Sequence, residues 1–436
     1  MRYLKRAATP SVALTDDTAD VQAMLDTIRS GGEDAVREYA EKLDNWSDDF
    51  ILSNKKRYQL IDEVTEDTKA DIQFAWQQIC RFAEAQKASL TEVRIETEPG
   101  VTLGHRLVPV QTVGCYVPGG RYAHAASALM SVATAKVAGV ETIIACSPPR
   151  DGSINAAVVY AMEIAGADVI VEMGGVQAIA TMAFGLFGNP RVDMIVGPGN
   201  SYVATAKKLL FGEVGIDVIA GPTESAIIAD ENADPITIAI DLASQAEHGP
   251  DSPVWLITNN ENLGQEVTRL VPKIAAGMPT QHTVIQAWEN YAEVVLCEDR
   301  QEMVVVSDNY APEHLQIMAH DQEWWLKNLR NYGSLFLGEG STVTHGDKCS
   351  GTNHILPTLG GARYTGGLNV HKFIKVLTWQ QIDEAANRRI SAVGARISRT
   401  EGMEGHARAC DWRLRKYFPD EDWDFEVRTR AELENR

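Results

Sequence analysis

TIIACSPPRDGSINAAVVYAMEIAGADVIV, residues 142–171, opens on the apolar run Thr142–Ala145, crosses a turn and a helical window, and closes on a second apolar run, Asp168–Val171. Short apolar runs separated by glycine-rich turns and helical windows mark βα units whose strands stack into a parallel sheet. The texture starts near Val101 and continues outward through Met194–Val196, Ser225–Ile228 and Trp255–Thr258. Glu293–Cys297 and Ser334–Leu337 flank a further helical window, so a second α/β layer is expected. Upstream, Val21, Met24, Leu25 and Ile28 recur at helical spacing, as do Val36, Tyr39, Ala40 and Leu43, and then Ile72, Ala75, Trp76 and Ile79. Residues 1–100 therefore read as a helical arm without chemistry of its own. Downstream, Gln380–Arg436 reads as a helix followed by an extended acidic tail.

A chain of 436 residues with 44 % hydrophobic residues can bury more than one core, and a large soluble enzyme is the default class. No apolar stretch has the length of a membrane span, and the N-terminus lacks the apolar core of a signal peptide. Cys80, Cys115, Cys146, Cys297, Cys349 and Cys410 are scattered without a CxxC pair, which argues against a disulfide framework and fits a reducing cytoplasm. A formal charge of −20 speaks against a nucleic-acid surface, because neutralising phosphates needs a basic footprint. An anionic substrate would need local basic residues to overcome that field.

Four segments could carry chemistry. In Asp241–Pro250, Gln245 and His248 lie three apart on a helical run, so an amide oxygen and an imidazole nitrogen share one face and could reach one metal ion. A helix-terminal histidine is more often a cap or a solvated residue. In Asn309–Leu315, Glu313 and His314 could act as general acid and base, since together they cover protonation states on both sides of neutrality. The other reading is a proline-started helix with Glu313 in its first turn. In Gly346–Pro357, Asp347 and His354 sit in a glycine-rich loop too polar to be core. Near the end, Glu401 and His406 form a further acid and imidazole. No GxGxxG follows a strand, so the usual dinucleotide fingerprint is missing. Pro118-Gly-Gly120, Gly174-Gly175 and Gly197-Pro-Gly-Asn200 are glycine turns that could bring backbone amides close to phosphates, or could be tight turns with no ligand.

Taken together, SQAEHGPDS, YAPEHL, GTNHILPT and GPGN resemble the histidinol dehydrogenase family in order and spacing, over about residues 20 to 415. The resemblance implies two incomplete Rossmann-like parallel-sheet domains with an N-terminal helical arm and a C-terminal helical tail. Their expected bounds are 1–100 for the arm, 101–235 for a first domain with the NAD site, 236–375 for a second with metal and catalytic residues, and 376–436 for the tail. By the same resemblance zinc would be held by Gln245, His248, Asp347 and His406, a donor set suited to it. His314 would be the base in alcohol oxidation, and Glu313 would activate the water that attacks the aldehyde. NAD would contact Tyr116, Gln177 and Asn200, while Thr223, His354 and Glu401 would lie near the substrate. The implied assembly is a homodimer in which the tail, with Glu401 and His406, reaches the partner's site.

The chain departs from the family pattern where substrate charge is decided. Arg121-Tyr-Ala-His124 replaces a small, proline-containing stretch; Val343 stands where the family carries an acid, and Lys348 where it carries a tyrosine. His371 and Lys372 fall where an acid is more usual. Losing an acid and gaining Arg121, Lys348, His371 and Lys372 turns the local preference from cation to anion, although single surface charges often mean nothing. These features resemble the sulfopropanediol branch of the family, which implies oxidation of (R)-2,3-dihydroxypropane-1-sulfonate to (R)-sulfolactate with two NAD, Arg121 and Lys348 being candidates for the anionic group. L-histidinol is the alternative substrate, and a non-catalytic zinc- or ligand-binding homologue is the alternative of another class.

Overall fold

The computed structural model describes residues 1–9, 17–119, 122–150 and 152–423. It divides into a larger unit, Met1–Ala88 with Pro109–Phe373, and a smaller one, Ser89–Val108 with Ile374–Arg436.

The larger unit is built on two sheets. In the first, the strands Val169–Glu172, Thr142–Ser147, Thr112–Tyr116, Met194–Val196 and Gly215–Ile216 lie side by side, all parallel. The chain starts in the middle, winds to one edge and returns to the other, the doubly wound order. Thr112–Tyr116 is buried throughout, so both faces need cover. The helix Thr18–Asp44 supplies part of it: Val21, Leu25, Ile28 and Val36 share a core with Val176, Ile179 and Ala180 of the helix Gly175–Phe184.

In the second sheet the order is Arg2–Lys5, Glu293–Leu296, Val254–Thr258, Ser225–Ala229, His314–Met318 and Ser334–Leu337. The last five are parallel and doubly wound in the same sense, while Arg2–Lys5 adds an antiparallel edge. Separate cores cover its two faces, one around Leu242, Val267 and Trp288 and the other around Ile228, Leu315 and Trp325. The region read as a helical arm thus also supplies a strand to this sheet, because Tyr3 and Leu4 have apolar cores to pack against.

The smaller unit is a sheet of Ile374–Ile382, Val101–Pro109 and Val93–Glu98, followed by the helices Glu384–Thr400 and Glu404–Tyr417. The sequence suggested one helix here, but Gly402 takes φ 77°, a left-handed conformation that glycine adopts freely, and the chain turns back so that Leu414 packs on Ala392. The acidic tail after residue 423 lies outside the described residues. No helix among the described residues is long and apolar enough to cross a membrane.

Candidate active site

A cavity of about 730 Å³ in the larger unit is lined by Tyr116, Gly119, Pro148 and Gly174, which end or follow strands of the first sheet, and by Thr223, Glu313 and His314, which precede or begin strands of the second. The carboxyl edge of one sheet therefore faces the amino edge of the other. In open parallel sheets ligands bind beyond the carboxyl ends where the strand order reverses, here between Thr112–Tyr116 and Met194–Val196.

That reversal point is closely built. A Cβ at Gly197, whose φ is 115°, would lie 2.0 Å from the Tyr116 carbonyl oxygen, so only glycine fits. Both backbone groups of Gly197 are clamped: its N–H donates to Asp217 Oδ2 at 2.7 Å, and its carbonyl accepts from Lys207 Nζ at 2.8 Å. Lys207 and Asp217 pair at 2.5 Å with side chains 2 % and 0 % exposed, so each charge has its partner in the protein. The three residues expected to contact a nucleotide line this end of the cavity. Tyr116 accepts the Gly175 N–H at its hydroxyl, 3.2 Å away, Gln177 donates to Asp44, and Asn200 caps the helix Ser201–Leu210 by accepting the Val203 N–H.

Glu313 and His314 occupy the other end, both buried. The helical reading of Pro312-Glu313-His314 does not hold: His314 opens a central strand, pairing with Ser225 on one side and Ser334 on the other. Its Nδ1 lies 3.1 Å from the Glu224 carbonyl, which fixes the proton there in the neutral ring and leaves Nε2 as the acceptor. Nε2 is buried without a hydrogen-bond partner, 3.4 Å from Asp347 Oδ1. Glu313 Oε2 accepts the Glu224 N–H at 3.0 Å and lies 3.5 Å from His314 Nδ1. Burial raises Glu313, with His314 opposing; in His314 burial acts downward, but Glu313 and Asp347 outweigh it and raise the imidazole.

Three of the expected zinc ligands belong to this unit. Gln245 is on the helix Pro235–Ala246, capped by Asp234, and its Oε1 is buried with no partner. His248 follows just beyond that helix and faces the cavity; burial lowers it to about 4, so the ring is neutral, the form that binds metal. Asp347 lies in the last turn of the short helix Val343–Lys348 instead of sitting in a loop, and although burial opposes it, His314, His354 and His248 hold its carboxyl well below the usual range. An orphaned amide oxygen, a neutral imidazole and an ionised carboxylate fit a divalent ion as a donor set. Among the described residues, however, no three His, Cys, Asp or Glu side chains form a metal-binding group. His406 and Glu401 are exposed residues of the smaller unit.

Of the remaining expected residues, Thr223, Lys348 and His354 line the cavity. His354 is fixed at both nitrogens, Nε2 lying 2.7 Å from Ser127 Oγ and Nδ1 2.9 Å from the Asp347 carbonyl. Arg121 lies outside the described residues. His371 and Lys372 do not line the cavity; they occupy a 3₁₀ turn, Val370–Phe373, where Lys372 donates to Thr365 Oγ1 at 2.5 Å. Val343 is buried, so the apolar residue in place of an acid completes packing. The sequence reading missed Glu224, a buried carboxyl that burial raises to about 7 while it accepts the Leu359 N–H, and His124, a cavity residue that burial, with His354 and Lys348 nearby, lowers to about 4. His124 had a signal, lying in the same departing stretch as Arg121; Glu224 had none.

The family model for histidinol dehydrogenase matches residues 8–414. The chain belongs to the histidinol dehydrogenase family. It is 53 % identical over 428 residues to a sulfopropanediol 3-dehydrogenase of Ruegeria pomeroyi, covering 97 % of this chain and 98 % of that one. It is 38 % identical to a histidinol dehydrogenase of Methanosarcina barkeri, with 91 % and 92 % covered. The crystal structure of histidinol dehydrogenase from Elizabethkingia anophelis superimposes with a TM-score of 0.88 at 33 % identity, covering 94 % of each chain. The protein is accordingly an oxidoreductase of this family with its mixed α/β, parallel-sheet fold.

Proposed function

We propose that the protein is a zinc-dependent, NAD-linked dehydrogenase that oxidises (R)-2,3-dihydroxypropane-1-sulfonate to (R)-sulfolactate in two hydride transfers. The observation that carries this reading is the single cavity that joins Glu313, His314, His248 and Asp347 to the reversal point of a doubly wound sheet. When bound, zinc would polarise the alcohol oxygen and NAD would accept hydride from its carbon, the ion being held by Gln245, His248 and Asp347 together with His406 supplied by the partner subunit of a homodimer.

His314 is the proposed base: from its neutral form, protonated at Nδ1, Nε2 takes the hydroxyl proton, and Asp347 beside it stabilises the imidazolium that results. Glu313 takes a proton from the water that adds to the resulting aldehyde, and its burial raises its basicity for that task. With NAD bound, the two oxidations would together convert one alcohol, one water and two NAD⁺ into one carboxylate, two NADH and three protons. Lys348, on the cavity wall near His354, would pair with the sulfonate. The reading also draws support from the relative named sulfopropanediol 3-dehydrogenase.

Dialysing the purified protein against a chelator tests the metal. Turnover should vanish and return on adding zinc; a metal-free protein that still turns over fully would contradict the proposal.

A further inference from the structure

We propose that Asp44 and Gln177 form an acceptor pair that reads the ribose hydroxyls of the dinucleotide and sets its preference for NAD over the 2′-phosphorylated form, an inference that rests on the NAD reading above. Asp44 is the last residue of the helix Thr18–Asp44, whose apolar face packs on the first sheet, and it lines the cavity beside Gly174, Gly175 and Gln177. Its Oδ2 accepts from Gln177 Nε2 at 2.8 Å, and the Gly174 amide donates to the same carboxylate.

That contact determines the orientation of the amide. A carboxylate can only accept, so Gln177 must turn its NH₂ toward Asp44 and its oxygen away. Gln177 is 1 % exposed, and Oε1 is buried with no partner, although the residue lines the cavity. A buried acceptor without a donor is costly, and the cavity is where a donor can arrive. The carboxylate and the orphaned carbonyl together call for a ligand rich in hydroxyl or amine donors. Vicinal ribose hydroxyls meet that demand. A 2′-phosphate does not, because it offers no donor at neutral pH and places anionic oxygens beside Asp44. Among the described lining residues the single Lys or Arg is Lys348, which lies with Asp347 and His354 at the catalytic end and cannot compensate there. An acidic residue reading a ribose is the general device of dinucleotide folds, where it follows a strand; here it would come from a helix that precedes the sheet.

The test is direct titration of NADH and NADPH into the full-length protein, followed by nucleotide fluorescence, with Asp44→Asn, Asp44→Ser and Asp44→Glu beside wild type. Wild type should bind NADH more tightly than NADPH. Losing a charge-assisted contact should weaken NADH roughly ten- to hundred-fold in Asp44→Asn and Asp44→Ser while NADPH binds as well as before or better, and Asp44→Glu should restore part of the selectivity. Asp44→Ser covers the case in which Asp44→Asn fails to fold. Equal losses for both nucleotides, or NADH affinity unchanged in either folded variant, would overturn the pair and leave the NAD reading standing. Wild type binding neither nucleotide would overturn both.

Discussion

Lys207→Met should destabilise the protein far more than its position suggests. The substitution keeps the volume and the helix propensity of the helix Ser201–Leu210 but strands Asp217, a carboxylate 0 % exposed, with the Gly197 N–H as its remaining donor, and frees the Gly197 carbonyl. Removing one member of a buried pair costs about 3–5 kcal/mol, whereas replacing both with apolar residues is often neutral. Asp217→Leu should therefore cost a similar amount by stranding the ammonium, and the double variant should recover most of either loss. Urea unfolding of the four proteins measures this as a coupling of roughly 3 kcal/mol or more between the two sites. Because the clamp fixes Gly197-Pro-Gly-Asn200 on the cavity wall, NADH affinity should fall in the single variants as well. Single variants that each lose under about 1 kcal/mol, or losses that simply add, would refute the clamp.

Glu313→Gln should retain bound metal and the first hydride transfer but release aldehyde or stall, since an amide cannot deprotonate water; two NADH per alcohol at the normal rate would remove Glu313 from that role. His248→Ala should lower zinc content measured by atomic absorption, as one of few ligands is lost, and full occupancy would exclude it. Lys348→Ala should raise the Michaelis constant for the sulfonate by roughly ten-fold or more while zinc content stays constant, as expected of a lost charge-assisted hydrogen bond. Gly197→Ala should cost several-fold in NADH affinity, because its Cβ cannot avoid the Tyr116 carbonyl 2.0 Å away; unchanged affinity would mean the turn relaxes freely.

Much of both sheets was legible because parallel strands buried on two faces leave short apolar runs such as Thr142–Ala145 and Trp255–Thr258, but the central strand Thr112–Tyr116 and the edge strand Arg2–Lys5 were not read from the sequence. Glu313-His314 was ambiguous locally. Leu315 and Ile317 enter one core and Met318 the other, and that two-sided burial makes the segment a strand where proline alone suggested a helix. The spacing of Gln245 and His248 was readable, but the helix ends at Ala246, so the turn that follows, and not the helix face, sets the position of His248. Lys348 and Lys372 looked alike in sequence, yet Lys348 lines the cavity and Lys372 does not. Asp44, Glu224, Lys207 and Asp217 gave no signal, because their meaning lies in contacts with Gln177, Glu313 and Gly197 that only the folded chain creates.

The most direct test of the proposed reaction is the yield of NADH per mole of alcohol consumed by zinc-loaded wild-type protein. With limiting (R)-2,3-dihydroxypropane-1-sulfonate the yield should be two, with sulfolactate as product, and L-histidinol at the same concentration should give little turnover. A preference for L-histidinol, or a yield of one with the aldehyde accumulating, would contradict it.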